Sequence, residues 1–266
     1  MPDGFAGRLA GVMAAKGRLC VGIDPHAAIL DAWSLPDSAH GARELGLRVV
    51  DAMAGLAGVV KPQVAFFERH GSAGYAALEV VLAAARMAGL LVIADVKRGD
   101  VGSTVDAYGE AWLTPGSPLE VHAMTAVAYQ GLGSLDGVID RAEAAGKGVF
   151  VLAATSNPEA ARTQSAVRDD GLSVAAGVLG DVRARDSSAL GVVVGATVSL
   201  LDPADLVGIP VLAPGFGAQG ARLSDLDALF GPAAPTTLAN VSRSVLGAGE
   251  AGIVEAIRRA REEVDG

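Results

Sequence analysis

LLVIADVKRGDVGST, residues 90–104, reads as half of a βα unit with its chemistry at the joint. Residues 90–94 are apolar and predict a strand buried on both faces. Asp95, Lys97, Arg98 and Asp100 then end it abruptly. Side chains alternate along a strand, so Asp95 and Lys97 point the same way, about 7 Å apart along the backbone. Gly99 and Gly102 let the chain turn, and Ser103 or Thr104 is placed to cap a following helix. The charged end has two readings: a structural salt bridge, or a catalytic carboxylate–ammonium array. Removing ions from water can cost more than their attraction returns, so such groups are rarely kept for stability alone.

Working outward, the same apolar-run-then-helix unit recurs. Strands are expected near 19–23, 58–60, 90–94, 121–127, 148–152, 190–194, 210–213 and 237–241. Helices are expected over about 42–57, 73–88 and 105–113, up to about 145 and 185, briefly near Pro203, and at the C-terminus. Phe5, Leu9, Val12 and Met13 mark a short amphipathic helix ahead of the first strand. Residues 158–170 are polar and expected to form a mobile loop. Eight strands alternating with helices predict an α/β fold, a (β/α)8 (TIM) barrel with a short N-terminal helix. No linker divides it, so residues 1–266 are expected to form one domain. A doubly wound open sheet is the alternative, but more often has five or six strands.

Composition agrees: 51% hydrophobic residues with only 4% aromatic favour close-packed parallel strands and helices over an aromatic-rich sandwich. A net charge of −9 disfavours a nucleic-acid partner, while a few convergent cations could still bind a small anion. The single cysteine, Cys20, permits no disulfide framework, and His26, His40, His70 and His122 lack zinc spacing, so no metal site is expected. Arg8 and Lys16 interrupt the N-terminal apolar residues, which speaks against a secretory signal. No apolar run approaches the length of a membrane span, and the cytoplasm is the expected location.

In a (β/α)8 barrel the working end is at the carboxyl ends of the strands. Those ends carry Asp24, Lys61, Asp95 with Lys97, Ser156, Gln219 and Arg243. Singly each has a plain reading: a turn residue for Asp24 and Ser156, a surface cation for Arg243. Their recurrence at one end is harder to dismiss. GFGAQG, residues 215–220, matches G-x-G-x-x-G, but follows the seventh strand and has Asn240 where a dinucleotide site wants an acid. Loops after strands seven and eight commonly hold phosphate in this fold. Gly215, Gly217 and Gly220 can expose N–H groups, and Arg243 offers a bidentate fork, which points to a phosphate monoester. A tight turn needing positive φ would also explain the glycines, though not Gln219 and Arg243 with them.

These segments also resemble a known family. DVKRGD with VGST, GIDP, KPQVAFFE, TSNP, APGFGAQG and VSRS are similar, in order, to motifs of the orotidine 5′-phosphate decarboxylase family. The likeness is strongest to its longer bacterial subgroup carrying KPQ-x-AFFE. D-x-K-x-x-D alone is shared with other decarboxylases of the superfamily; the KPQ and GAQG segments make the match specific. The resemblance implies conversion of a small nucleotide, orotidine 5′-phosphate, to UMP and CO2 without metal or cofactor. It implies a charged array of Lys61, Asp95, Lys97 and Asp100, with Lys97 delivering a proton to C6 of the pyrimidine. Asp24 and Lys61 would hold the ribose hydroxyls, Ser156 the pyrimidine, Gln219 both base and phosphate, and Arg243 the phosphate. Asp100 and Thr104 would reach into a neighbouring subunit's site, making the protein a homodimer. Where the subgroup usually has Ser-Pro-Tyr or Asn-Pro-Tyr, this chain has Val127-Ala128-Tyr129, a departure in the loop after strand four. Two rivals remain: a magnesium-dependent sugar-phosphate decarboxylase or aldolase, for which Glu68 is the candidate extra carboxylate, and a non-catalytic UMP sensor.

Overall fold

The eight apolar runs all become strands in the structure, a computed structural model that describes residues 4–266. Residues 1–3 of the expected 1–266 domain lie outside the described residues. The strands are β1 Leu19–Ile23, β2 Val59–Pro62, β3 Leu91–Arg98, β4 Ala123–Ala126, β5 Gly148–Ala154, β6 Leu190–Val194, β7 Val211–Pro214 and β8 Thr237–Val241. Each pairs in parallel with the next, and β8 closes on β1 through Leu19–Ala239, Cys20–Asn240 and Val21–Val241. The result is the expected closed (β/α)8 barrel.

Alternation along the strands sorts the apolar residues into two cores. Val21, Val60, Val92, Ala94 and Val151 face outward and pack beneath the helices. Cys20, Val59, Leu91, Ile93, Ala123, Phe150 and Leu238 face inward. The helix Phe5–Lys16 joins that inner core through Phe5, Leu9 and Met13 and so closes the N-terminal end of the barrel. Phe5 meets Phe150 edge to face, with ring centroids 5.7 Å apart. Gly148 makes room for it, since a Cβ there would lie 2.4 Å from the Phe5 ring. The opposite end is left open.

Most expected helices are present, including the C-terminal helix Gly249–Asp265, which buries Ile253, Ile257, Ala260 and Val264. Four short helices were not expected: Ala27–Ala32, Ala65–Glu68, Ala160–Gln164 and Arg243–Leu246. One or two turns are too short to develop a helical period in sequence. The third strand also runs further than expected, carrying Asp95 to Arg98 within it. Among the described residues, no helix is long and apolar enough to cross a membrane.

Candidate active site

The alternation that builds the inner core also aims the charged residues. Two positions past inward-facing Val59 comes Lys61, and two past Ile93 comes Asp95, so both enter the barrel at its open mouth. They are 4% and 9% exposed, which leaves two opposite charges almost without water. Lys61 Nζ donates to Asp95 Oδ2 at 3.0 Å, and Lys97 Nζ donates to Asp95 Oδ1 at 2.5 Å. Burial alone would raise the Asp95 pKa, but Lys61 and Lys97 outweigh it and hold the carboxyl well below its usual range. Burial would likewise lower Lys61, yet Asp95 and then Asp24 raise it above an ordinary lysine. Both groups are therefore ionised at neutral pH.

Lys97 does not arrive there by simple strand alternation. The β3–β4 register shifts between Ala94 and Arg98, and within that bulge Lys97 has φ +48°. A left-handed conformation costs a residue with a Cβ on the order of 1–2 kcal/mol and persists only where the surroundings impose it. The bulge folds the lysine back until its ammonium touches Asp95.

Asp24, Lys61, Gln63, Asp95, Lys97, Thr125, Ser156, Gln219 and Asn240 line one cavity of about 490 Å³ at the mouth. Ser156 Oγ lies 3.4 Å from Gln219 Oε1 across it, joining the loops after β5 and β7. Asp24 Oδ1 is buried there with no hydrogen-bond partner, an acceptor left over for a ligand hydroxyl. Gly217, Gly220 and Arg243 line a second cavity of about 640 Å³ on the β7–β8 side. Gly215, Gly217 and Gly220 all have positive φ, which is what the tight-turn reading of the loop requires. Gly217 also lies against Ser244, where a Cβ would come within 2.7 Å of its hydroxyl.

Asp100 and Thr104 line neither cavity. The Asp100 carboxylate accepts the Val101 N–H at 2.8 Å, and Thr104 is exposed at the start of the helix Gly102–Leu113. Within one chain the array is thus three charges rather than four. Glu68 is also outside the cavity, bound by Arg98 at 2.9 Å and by the Tyr75 hydroxyl at 3.0 Å. Thr125, Asn240 and Gln63 are cavity residues that sequence reasoning missed. Thr125 and Asn240 follow inward-facing Ala123 and Leu238 by two positions, the same signal that marks Lys61 and Asp95. Gln63 Oε1 accepts from Lys61 Nζ at 3.3 Å.

Fold and site together define a (β/α)8 barrel of the enzyme class, with a Lys–Asp–Lys array, its first two members desolvated, at its C-terminal mouth. The profile of the orotidine 5′-phosphate decarboxylase / HUMPS family matches residues 17–260. An orotidine 5′-phosphate decarboxylase from Salinispora arenicola is 47% identical over 98% of this chain and 96% of its own. Its counterpart from Streptomyces coelicolor is 48% identical over 91% of this chain and 89% of its own. Among solved structures, OMP decarboxylase of Leishmania donovani superposes with TM-score 0.80 at 30% identity, covering 98% of each chain. The chain belongs to the orotidine 5′-phosphate decarboxylase / HUMPS family.

Proposed function

We propose that this protein is an orotidine 5′-phosphate decarboxylase, releasing CO2 to give UMP in pyrimidine biosynthesis. The observation that carries the proposal is the buried Lys61–Asp95 pair with the half-exposed Lys97 bonded to it, held in a cavity of nucleotide size. Relatives of that name at 47–48% identity over nearly the whole chain support the choice of substrate.

Loss of CO2 from C6 leaves a vinyl carbanion with no conventional electron sink. A preorganised cation is the remaining way to stabilise it, and Lys97 is the half-exposed ammonium of the array, able to face a ligand. Lys97 then delivers its proton to C6, so C–C cleavage is followed by C–H formation without metal or organic cofactor. Asp95 lies beside the departing carboxylate and holds Lys97 in place. Lys61 and Asp24 take the ribose hydroxyls, Ser156 the pyrimidine, and Gln219 the link between base and phosphate. Arg243 and the N–H groups around Gly215, Gly217 and Gly220 take the phosphate, whose binding energy is used at the reacting carbon. Asp100 and Thr104, turned away from their own cavity, complete the neighbouring site of a homodimer in the cytoplasm.

The test is the fall in orotidine 5′-phosphate absorbance with purified protein, with and without EDTA, beside the Lys97→Ala variant. Equal turnover with EDTA, and none with Lys97→Ala despite retained UMP binding, is expected. Turnover that survives Lys97→Ala would remove the proton-donor assignment, and dependence on added magnesium would favour the aldolase-type rival.

A further inference from the structure

Thr125 lies beside the array, 1% exposed, and touches both Asp95 and Lys97. Its Oγ1 is 2.9 Å from Asp95 Oδ1 and 2.9 Å from the backbone nitrogen of Lys97. The direction of each bond is fixed by chemistry. An ionised carboxylate only accepts, so the hydroxyl proton goes to Asp95; an amide N–H only donates, so the hydroxyl lone pair takes Lys97. The register shift between β3 and β4 deprives Lys97 of an ordinary ladder partner there, and the Thr125 side chain stands in for it. The residue so held is the one at φ +48° whose ammonium must meet Asp95. Ser34 and Asp186 are the other non-glycine residues with positive φ among those described, and neither lines the cavity.

We infer that Thr125 is a positioning residue for the decarboxylation proposed above: one hydroxyl holds the Asp95 carboxylate and the strained Lys97 backbone in register. It does not act on substrate itself, because its proton is given to Asp95 and its lone pair to Lys97. The inference rests on the proposed activity for its kinetic consequence, but not for its structural one.

The experiment compares wild type with Thr125→Val, which keeps the shape and removes the hydroxyl, and Thr125→Ser, which keeps the hydroxyl. Thr125→Ala is measured beside them, so that a valine variant that fails to fold leaves the comparison intact. Turnover of orotidine 5′-phosphate, UMP affinity and hydrogen exchange at the Lys97 amide are read on each. Small misplacement of a reacting group is worth up to about 100-fold in rate, so kcat should fall roughly 10- to 100-fold without the hydroxyl. KM and UMP affinity should stay within about threefold, and Thr125→Ser should recover most of the rate. Lys97 amide exchange should quicken in the variants lacking the hydroxyl and not in Thr125→Ser. A kcat unchanged in Thr125→Val or Thr125→Ala overturns the inference, as does a loss shared equally by Thr125→Ser. An inactive wild type would instead overturn the proposed activity. In that event an unaltered Lys97 amide would still refute the role of Thr125, and a quickened one would sustain it.

Discussion

Replacing Asp95 with Asn removes one charge from a nearly water-free part of the barrel mouth and leaves the side chain's shape nearly unchanged. The Lys61 side chain is 5% exposed and that of Asp95 10%, so Lys61 would remain in the barrel mouth without its nearest counter-ion. Breaking a buried pair from one side costs about 3–5 kcal/mol. Asp24 also favours the Lys61 charge, which puts the expected loss at the lower end, about 3 kcal/mol. For a chain of this length that lowers Tm by roughly 6–12 °C. Adding Lys61→Met removes the orphaned ammonium and should restore most of the loss, because an apolar pair is often as stable as a buried ionic one. The pH dependence follows from the direction of each shift. The folded Asp95 pKa is depressed, so its contribution is whole above the unfolded value near about 4 and is lost as pH falls below that. The folded Lys61 pKa is raised, so its contribution is whole below about 10 and is lost only as pH rises through the folded value. Wild type and Asp95→Asn should therefore differ by a constant amount from about pH 7 to about pH 5 and converge in stronger acid. Reversible urea and thermal unfolding across that range provide the assay. An Asp95→Asn variant as stable as wild type, or a double variant weaker than the single one, would refute the desolvation argument.

Mixing two inactive variants, Lys97→Ala and Asp100→Ala, should restore about a quarter of wild-type turnover if sites are shared. Half of randomly formed dimers are then mixed, and each has one intact site of two. No recovery after confirmed subunit exchange would mean that the site is built within one chain. Arg243→Ala should weaken UMP roughly 10- to 100-fold, the worth of a charge-assisted phosphate contact, and leave uridine unaffected by calorimetry. Equal loss for both ligands would take Arg243 out of the phosphate site. At the closed end of the barrel, His122 Nδ1 accepts the Val92 N–H at 3.0 Å, which requires a neutral ring. Burial, with Arg8, Lys147 and Arg86 nearby, lowers its pKa from 6.5 to about 4. The native state then binds fewer protons than the unfolded chain between those values. Stability should fall as pH drops through that window, by at most about 3 kcal/mol before solvent screening. His122→Gln, which keeps an acceptor and does not titrate, should flatten that slope in urea unfolding; an unchanged slope would assign the acid sensitivity elsewhere.

The barrel and half of its site are legible in sequence for one shared reason, and the other half is hidden for the converse reason. Eight apolar runs ending in polar residues determine the closed sheet, and Lys61 and Asp95 stand out because a charge two positions past an inward-facing valine or isoleucine is expensive to bury. Thr125 and Asn240 occupy the same parity after Ala123 and Leu238. A lone threonine or asparagine in an apolar run costs little once bonded, as Asn240 Nδ2 is to the Cys20 carbonyl at 3.1 Å. Nothing in composition or spacing makes such a residue exceptional. Lys97 is legible as a residue and not as a position. Alternation places it about 7 Å further along the strand than Asp95, whereas the bulge against β4 turns it back into contact. That bend depends on the register of a strand 28 residues away and on the Thr125 hydroxyl that receives the Lys97 amide. Asp100 and Thr104 are visible as a motif, yet they line no part of the cavity of their own chain, and no pattern in one chain says what else they would meet. Sequence therefore reveals the groups whose desolvation demands a reason, while the neutral groups that hold those charges in register emerge only when the two strands are brought together.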